Sequence, residues 1–121
     1  MKKNHLLLAL CAILICAFAV AGKSMVGRWK VAYGNGAAGY ADFRKDGTVE
    51  ATFTGQDWKV GGPYKVEGNT VSIADSSCGL TYWGSYKANW FSDDSVQMTV
   101  IEDTCTGRKS SCDRSVLVRI K

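Results

Sequence analysis

Histidine is almost absent from this chain. Of its 121 residues only His5 is a histidine, and it precedes an unbroken apolar run at residues 6–20. Imidazole is the side chain that most often acts as a general base near neutral pH, and it is a common zinc ligand. Because the rest of the chain has none, the sequence predicts no enzyme activity, no metal site and no cofactor.

Clusters of basic residues are missing as well. Once the first 21 residues are set aside, 13 basic and 11 acidic residues remain, which gives a net charge of +2. A nucleic-acid-binding surface needs lysine and arginine gathered on one face, and this even distribution does not provide it. We therefore expect no nucleic-acid partner.

The first 21 residues have the pattern of a secretory signal peptide. Two lysines lie near the start, the apolar run at residues 6–20 follows, and alanines occupy positions 19 and 21. A retained membrane anchor is the alternative, but it needs about 20 apolar residues, and this run is shorter. We predict cleavage after residue 21, a mature domain at residues 22–121, and export to the periplasm or the medium as a protein without a transmembrane segment.

Proline occurs once, at Pro63, whereas glycine occurs 13 times. Together with many tyrosine, tryptophan, valine and threonine residues, this composition favours strands joined by tight turns. About one hundred residues are enough for one hydrophobic core. The mature chain is therefore expected to be a single all-β domain.

Five cysteines fall to three when the leader is removed, namely Cys78, Cys105 and Cys112. Outside the cytoplasm they are expected to form one disulfide and leave one odd thiol. A bond between Cys105 and Cys112 would clip a single loop, whereas a bond between Cys78 and Cys105 would tie two strand ends together. The sequence leaves the pairing open.

Apolar and polar residues alternate with a period of two along most of the mature chain, which is typical of half-buried strands. In the first strand Trp29, Val31 and Tyr33 share one face, and Asp46 with Gly47 gives the clearest hairpin signal. The pattern predicts about eight strands in hairpin order. The later inward candidates are Val49, Ala51, Phe53, Trp58, Val60, Tyr64, Val66, Val71, Ile73, Tyr82, Tyr86, Ala88, Trp90, Val96, Met98, Val100, Val116, Val118 and Ile120.

Short antiparallel strands joined neighbour to neighbour are most simply arranged as an up-and-down β-barrel. Closure removes the two sheet edges that would otherwise pair with other chains. A small sandwich is the alternative, but it needs longer crossing connections than most of the loops offer. We expect a barrel.

Gly27, Arg28 and Trp29 match the Gly-x-Trp signature of the lipocalin-like proteins. The likeness extends over nearly all of the mature chain, which resembles the small extracytoplasmic lipocalin-like domains of bacteria. The other stretches that carry the resemblance are residues 43–49, 62–69 and 84–86 and the Asp-x-Cys-x-Gly-Arg motif at residues 103–108.

In barrels of this family the signature tryptophan packs across the closed end, under an arginine near the last strand. The resemblance therefore implies that Arg119 lies over Trp29, with Arg108 or Arg114 as substitutes, and that Gly27 belongs to the same closure. Arg119 has the opposite parity to the predicted inward residues of its strand, so a position in solvent is the alternative.

The resemblance also implies an open barrel end that holds a small apolar or amphipathic ligand. The aromatic residues of the inward face are the candidate contacts, with ordinary core packing as the alternative for each. They are Trp58, Tyr64, Tyr82, Tyr86 and Trp90.

A protein-interaction or envelope-associated module, with a filled barrel and no ligand, is the second hypothesis. It would act through the predicted loop at residues 102–113, where Arg108 and Lys109 would form the contact surface. The expected partner is thus either a small apolar ligand or an envelope protein.

Overall fold

The computed structural model describes residues 23–121, so the predicted signal peptide lies outside the described residues. Eight antiparallel strands follow one another around a closed barrel, and the last strand pairs with the first. The prediction of an all-β up-and-down barrel is confirmed. The strands are β1 Gly27–Ala32, β2 Ala38–Phe43, β3 Thr48–Phe53, β4 Lys59–Glu67, β5 Thr70–Ile73, β6 Gly84–Ser92, β7 Ser95–Glu102 and β8 Val116–Arg119, with one helix, α1 Thr106–Cys112, before β8.

Hairpin order gives the barrel two distinct ends. Because each strand reverses the direction of the one before it, successive connections alternate between the ends. We call one the helix end; it carries the connections at residues 33–37, 54–58, 74–83 and 103–115, the last of which contains α1. The other is the terminus end; it carries the turns at residues 44–47, 68–69 and 93–94 and both ends of the described chain.

The core lies inside the barrel and follows the alternation of the strands. Trp29 and Val31 of β1 are buried, as are Val96 and Met98 of β7, while the intervening Lys30 is exposed. Phe43, Val71 and other buried residues complete one cluster that spans the interior. The inner face of the closed sheet therefore forms most of the core, and Met25 and Tyr33 add to it from just outside β1.

The inward face of β8 differs from the prediction. Leu117 is buried, whereas Val118 is 51% exposed and Ile120 is 42% exposed. The register with β1 is the cause, because Leu117 lies opposite Val31 and Arg119 lies opposite Trp29. Residues directly opposite each other on paired strands point to the same side of the sheet, so β1 turns Leu117 and Arg119 inward.

The region predicted as a loop at residues 102–113 contains the helix α1. Its seven residues are too few to show a helical apolar period in the sequence. The helix lies against the β1–β2 connection, where the Gly34 amide donates to the Ser111 carbonyl at 2.8 Å. It therefore covers part of the helix end.

An indole and a guanidinium close the terminus end. Trp29 is fully buried, its Nε1 donates to the Met25 carbonyl at 2.8 Å, and the Cζ atom of Arg119 lies 4.2 Å from the centre of its ring. Arg119 also donates to the carbonyls of Val26 and Ser24, at 2.6 Å each. The substitutes named from the sequence, Arg108 and Arg114, lie at the opposite end.

Gly27 makes this closure possible. Its φ of +139° is a conformation that residues with a side chain rarely adopt, and a Cβ there would lie 2.5 Å from Nη1 of Arg119. The first glycine of the Gly-x-Trp signature therefore leaves room for the guanidinium.

A disulfide joins Cys78, in the β5–β6 connection, to Cys105, immediately before α1. Cys112 at the end of α1 is the free thiol of the described chain. The pairing left open by the sequence is therefore Cys78 with Cys105, two segments that meet at the helix end. Within residues 23–121, no helix is both long and apolar enough to cross a membrane.

We expect Arg119→Met to lower the free energy of unfolding by about 1–3 kcal/mol, because it removes the cation–π contact and the partly buried hydrogen bonds to Val26 and Asp94. Denaturant titration of a protein made of residues 22–121 measures this change. Arg28→Met is the matched control, since Arg28 lies over Tyr40 on the outer surface with 60% of its side chain exposed. Equal losses in the two variants would contradict the closure role of Arg119.

For a protein made of residues 22–121, we expect one reactive thiol per chain after denaturation without reductant, and none in the Cys112→Ala variant. Replacing both Cys78 and Cys105 with serine should lower stability by about 3–4 kcal/mol, because the bond closes a long loop in the unfolded chain. Thiol titration and denaturant unfolding measure the two effects. Labelling of Cys78 or Cys105 in the oxidised protein would contradict the pairing.

Candidate functional site

A cavity of about 510 Å³ occupies the barrel interior towards the helix end. Its lining comes from inward strand residues together with residues of the helix-end connections and α1. Several of the latter, including Gln56, Trp58 and Ser110, are also exposed to solvent. The cavity therefore has an entrance at the helix end and a floor towards Trp29.

The floor of the cavity is apolar. Val31, Phe43, Val49 and Leu117 line it, and each is buried with at most 6% of its surface exposed. Met98 lines it from β7. The strand alternation places these side chains on one continuous inner surface, which suits the hydrocarbon part of a ligand.

Three aromatic rings line one side of the entrance. Tyr33 stacks on Phe53 with ring centres 4.5 Å apart, and Phe53 contacts Trp58 at 4.9 Å. Trp58 is 53% exposed, while its Nε1 donates to the Gln56 side chain at 3.2 Å. The row thus runs from a buried phenol to an indole at the surface.

The opposite wall carries the buried charges. Arg108 of α1 is only 3% exposed. Its Nε donates to Oδ2 of Asp103 at 2.8 Å and its Nη2 to Oδ1 of Asp103 at 3.0 Å. Nη2 also donates to the Tyr82 carbonyl at 2.8 Å, and Nη1 reaches Oδ1 of Asp75 at 3.5 Å.

The Asp103 carboxylate is the centre of this network. Besides Arg108, it accepts hydrogen bonds from the Tyr86 hydroxyl and, at 2.9 Å, from the Cys105 amide. A Cβ at Gly84 would overlap the Asp103 carboxylate, so glycine is needed where β6 begins. The Asp-x-Cys-x-Gly-Arg motif is thereby joined to β6 and to the disulfide.

Burial and hydrogen bonding shift the protonation of these groups. Burial raises the pKa of Asp103, but the hydrogen bonds from Arg108, Tyr86 and the Cys105 amide outweigh it, so the net pKa lies below the ordinary value. Burial, helped by the hydrogen bond to Asp103, raises the pKa of Tyr86 well above that of a free tyrosine. At neutral pH the pair is an aspartate that accepts from a neutral phenol.

The Cys112 thiol also lines the cavity. Burial, reinforced by the negative charge of Asp75, raises its pKa to about 12. A thiol rather than a thiolate is therefore present at neutral pH, and a thiol is a poor nucleophile. Within residues 23–121, no group of three or more His, Cys, Asp or Glu side chains is placed to hold a metal ion.

Of the five aromatic residues predicted as ligand contacts, Trp58 and Tyr86 line the cavity. Tyr64 does not, because its hydroxyl donates to the Arg44 carbonyl at 2.8 Å in a turn of the terminus end. Trp90 also lies at the terminus end, where its ring centre is 6.1 Å from that of Trp29. Both face inward but lie beyond the floor of the cavity.

Tyr82 is outside the barrel wall. The sequence predicted that Tyr82 lies on the same strand as Tyr86, but β6 begins only at Gly84. Tyr82 precedes the strand, so the alternation of inward and outward side chains does not extend to it. Tyr82 is 48% exposed, and its hydroxyl accepts a hydrogen bond from Thr104 at 2.5 Å. These positions remove Tyr64, Tyr82 and Trp90 from the candidate site.

Sequence reasoning missed Phe53 and Tyr33 as entrance residues, although hairpin order alone puts their connections at the same end. It also placed Arg108 on a solvent-facing contact surface with Lys109, whereas Arg108 is buried and only Lys109 is exposed. The Asp-x-Cys-x-Gly-Arg motif was the available signal, because it places an acidic residue and a basic residue only five positions apart.

Comparisons of this chain with protein-family models, with curated proteins and with solved structures find no match.

We expect Asp103→Asn to lower stability at neutral pH by about 3–5 kcal/mol, because it leaves the buried Arg108 with a weaker partner. The pKa of Asp103 is lowered in the folded state. Its contribution is therefore complete above the ordinary aspartate pKa of about 3.9 and is lost as the pH falls through the folded pKa.

Unfolding free energies measured between neutral and strongly acidic pH should accordingly fall less steeply in Asp103→Asn than in the unmodified protein. Asp57→Asn, which removes the same charge from an exposed connection, serves as the control and should follow the unmodified curve. Parallel curves for all three proteins would contradict the assigned role of Asp103.

Proposed function

We propose that this protein is an exported, lipocalin-like binding barrel that holds a small apolar or amphipathic molecule in its interior. The proposal rests on the 510 Å³ cavity. Ligand sites in proteins typically measure about 300–1,000 Å³ and combine apolar walls with a few polar groups. The cavity meets both conditions, since its apolar floor faces a wall that carries Asp75 and Arg108.

Export is supported by the amino-terminal pattern and by the disulfide, which persists in oxidising compartments. The lipocalin-like relationship is supported by the manner of closure, in which Gly27, Trp29 and Arg119 meet at one barrel end. These features are the ones that the resemblance associates with the family.

The alternative, an interaction module with a filled barrel, receives less support. An eight-stranded barrel can be filled by its own side chains, but here space remains beside the apolar floor. In the segment expected to form its contact surface, Arg108 is buried and bonded to other residues of the protein, so it is not available to a partner. Lys109 alone does not make a recognition surface.

Binding of a neutral dye, N-phenyl-1-naphthylamine, tests the proposal. Its fluorescence rises in an apolar environment, so titration of the mature protein should give a saturable signal with one site per chain. We expect Ala51→Trp, which fills the cavity from β3, to weaken the affinity by about tenfold or more, because the added ring occupies the ligand space.

Ala32→Trp is the matched control, since Ala32 is exposed on the outer face of β1. It should leave the dye affinity unchanged. Equal effects of the two substitutions, or a dye signal that does not saturate, would argue against an interior site.

A further inference from the structure

The charged network at the cavity wall contains two carboxylates and one guanidinium. Among the described residues that line it, only Asp75 and Arg108 are charged. Arg108 is already bound to both oxygens of Asp103, which lies directly behind it and is 7% exposed. Two carboxylates therefore face one guanidinium in this part of the protein.

Arg108 has little capacity left for an anionic ligand. Four of its five N–H groups donate to protein acceptors. Two of these hydrogen bonds go to Asp103, one to Asp75 and one to the Tyr82 carbonyl. The remaining N–H belongs to Nη1, the nitrogen that lies 3.5 Å from Asp75. A carboxylate that reached it would be placed beside the Asp75 carboxylate.

Asp75, in contrast, has one carboxylate oxygen that can accept a hydrogen bond from a ligand. Its Oδ1 accepts from Arg108 and from both the amide and the hydroxyl of Ser77, whereas Oδ2 has no hydrogen-bond partner within residues 23–121. Asp75 is 7% exposed. No fully enclosed side-chain oxygen or nitrogen of the described residues lacks a partner, so Oδ2 is not fully enclosed, and Asp75 is one of the residues that line the cavity.

The position of Asp75 relative to the apolar floor sets the shape of the ligand. Asp75 follows β5 at the helix end, and Ile73, two residues earlier on the same chain, lines the cavity from inside the strand. A donor group bound at Oδ2 would thus leave its hydrocarbon part directed towards Val49 and Met98.

We propose that the cavity selects cationic amphiphiles, in which an alkyl or aryl body carries an ammonium group, and that Oδ2 of Asp75 accepts a hydrogen bond from this ammonium. This inference rests on the proposed function, because it names the ligand class of the same cavity. An ammonium on Asp75 makes a charge-assisted hydrogen bond and balances the second carboxylate, whereas an anion meets the net negative charge of the network formed by Asp75, Asp103 and Arg108.

Three probes with the same chain and different head groups test the proposal: octylammonium, 1-octanol and octanoate. Their affinities are measured at neutral pH by displacement of N-phenyl-1-naphthylamine from the mature protein. We expect octylammonium to bind at least about tenfold more tightly than octanoate, with octanol between them. The reason is that the ammonium makes a charge-assisted hydrogen bond with Asp75, whereas the carboxylate of octanoate is repelled by it.

Asp75→Asn keeps the size of the side chain and an oxygen for Ser77 but removes the charge. In this variant the preference for octylammonium over octanol should disappear. Glu67→Gln is the matched control, because it removes one negative charge from an exposed position on β4. It should retain the preference of the unmodified protein, which excludes a general surface-charge effect.

The outcomes separate the two proposals. If the dye and octanol bind but octanoate binds as tightly as octylammonium, the charge selection is overturned while the binding function stands. An unchanged preference in Asp75→Asn overturns the role of Asp75, and the affinity order of the unmodified protein decides the selection even if that variant does not fold. If neither the dye nor any probe binds, the proposed function and this inference both fail.

Discussion

The pairing of β8 with β1 is the constraint on which the rest of the molecule depends. It turns an eight-stranded sheet into a closed surface without free edges, and its register points Arg119 to the inside of the barrel. Once Arg119 points inward, it meets Trp29 and closes one end, and Gly27 provides the space that this contact requires. An open interior then remains only towards the other end.

On the side of α1, the helix end is held together by a disulfide and by polar contacts. The disulfide holds the segment before α1 to the β5–β6 connection, and the pair of Arg108 with Asp103 joins α1 to Tyr86 on β6. Buried ion pairs cost desolvation, and this one is compensated because each side of the pair has further hydrogen-bond partners. The polar network therefore fixes the wall of the cavity without filling the cavity itself.

Much of the architecture could be predicted from the sequence because alternation is a local property. The inward positions of Trp29 and Val31 and the hairpin at Asp46 need only the residues nearby. For β8 the local pattern was misleading, because valine and isoleucine on the outer face outnumbered Leu117 on the inner face. There the register with β1 overrides the apolar pattern of a four-residue strand.

The sequence by itself determined the strand alternation, the hairpin order, the all-β barrel and the near absence of histidine side chains. The tertiary structure decided which cysteines pair, where Arg108 lies, and why Trp58 and Tyr86 line the cavity while Tyr64 and Trp90 do not. The physical reason is that alternation reports the side of the sheet on which a residue lies. Its height along the barrel axis, and the distant residues that it meets there, follow only when the sheet is closed.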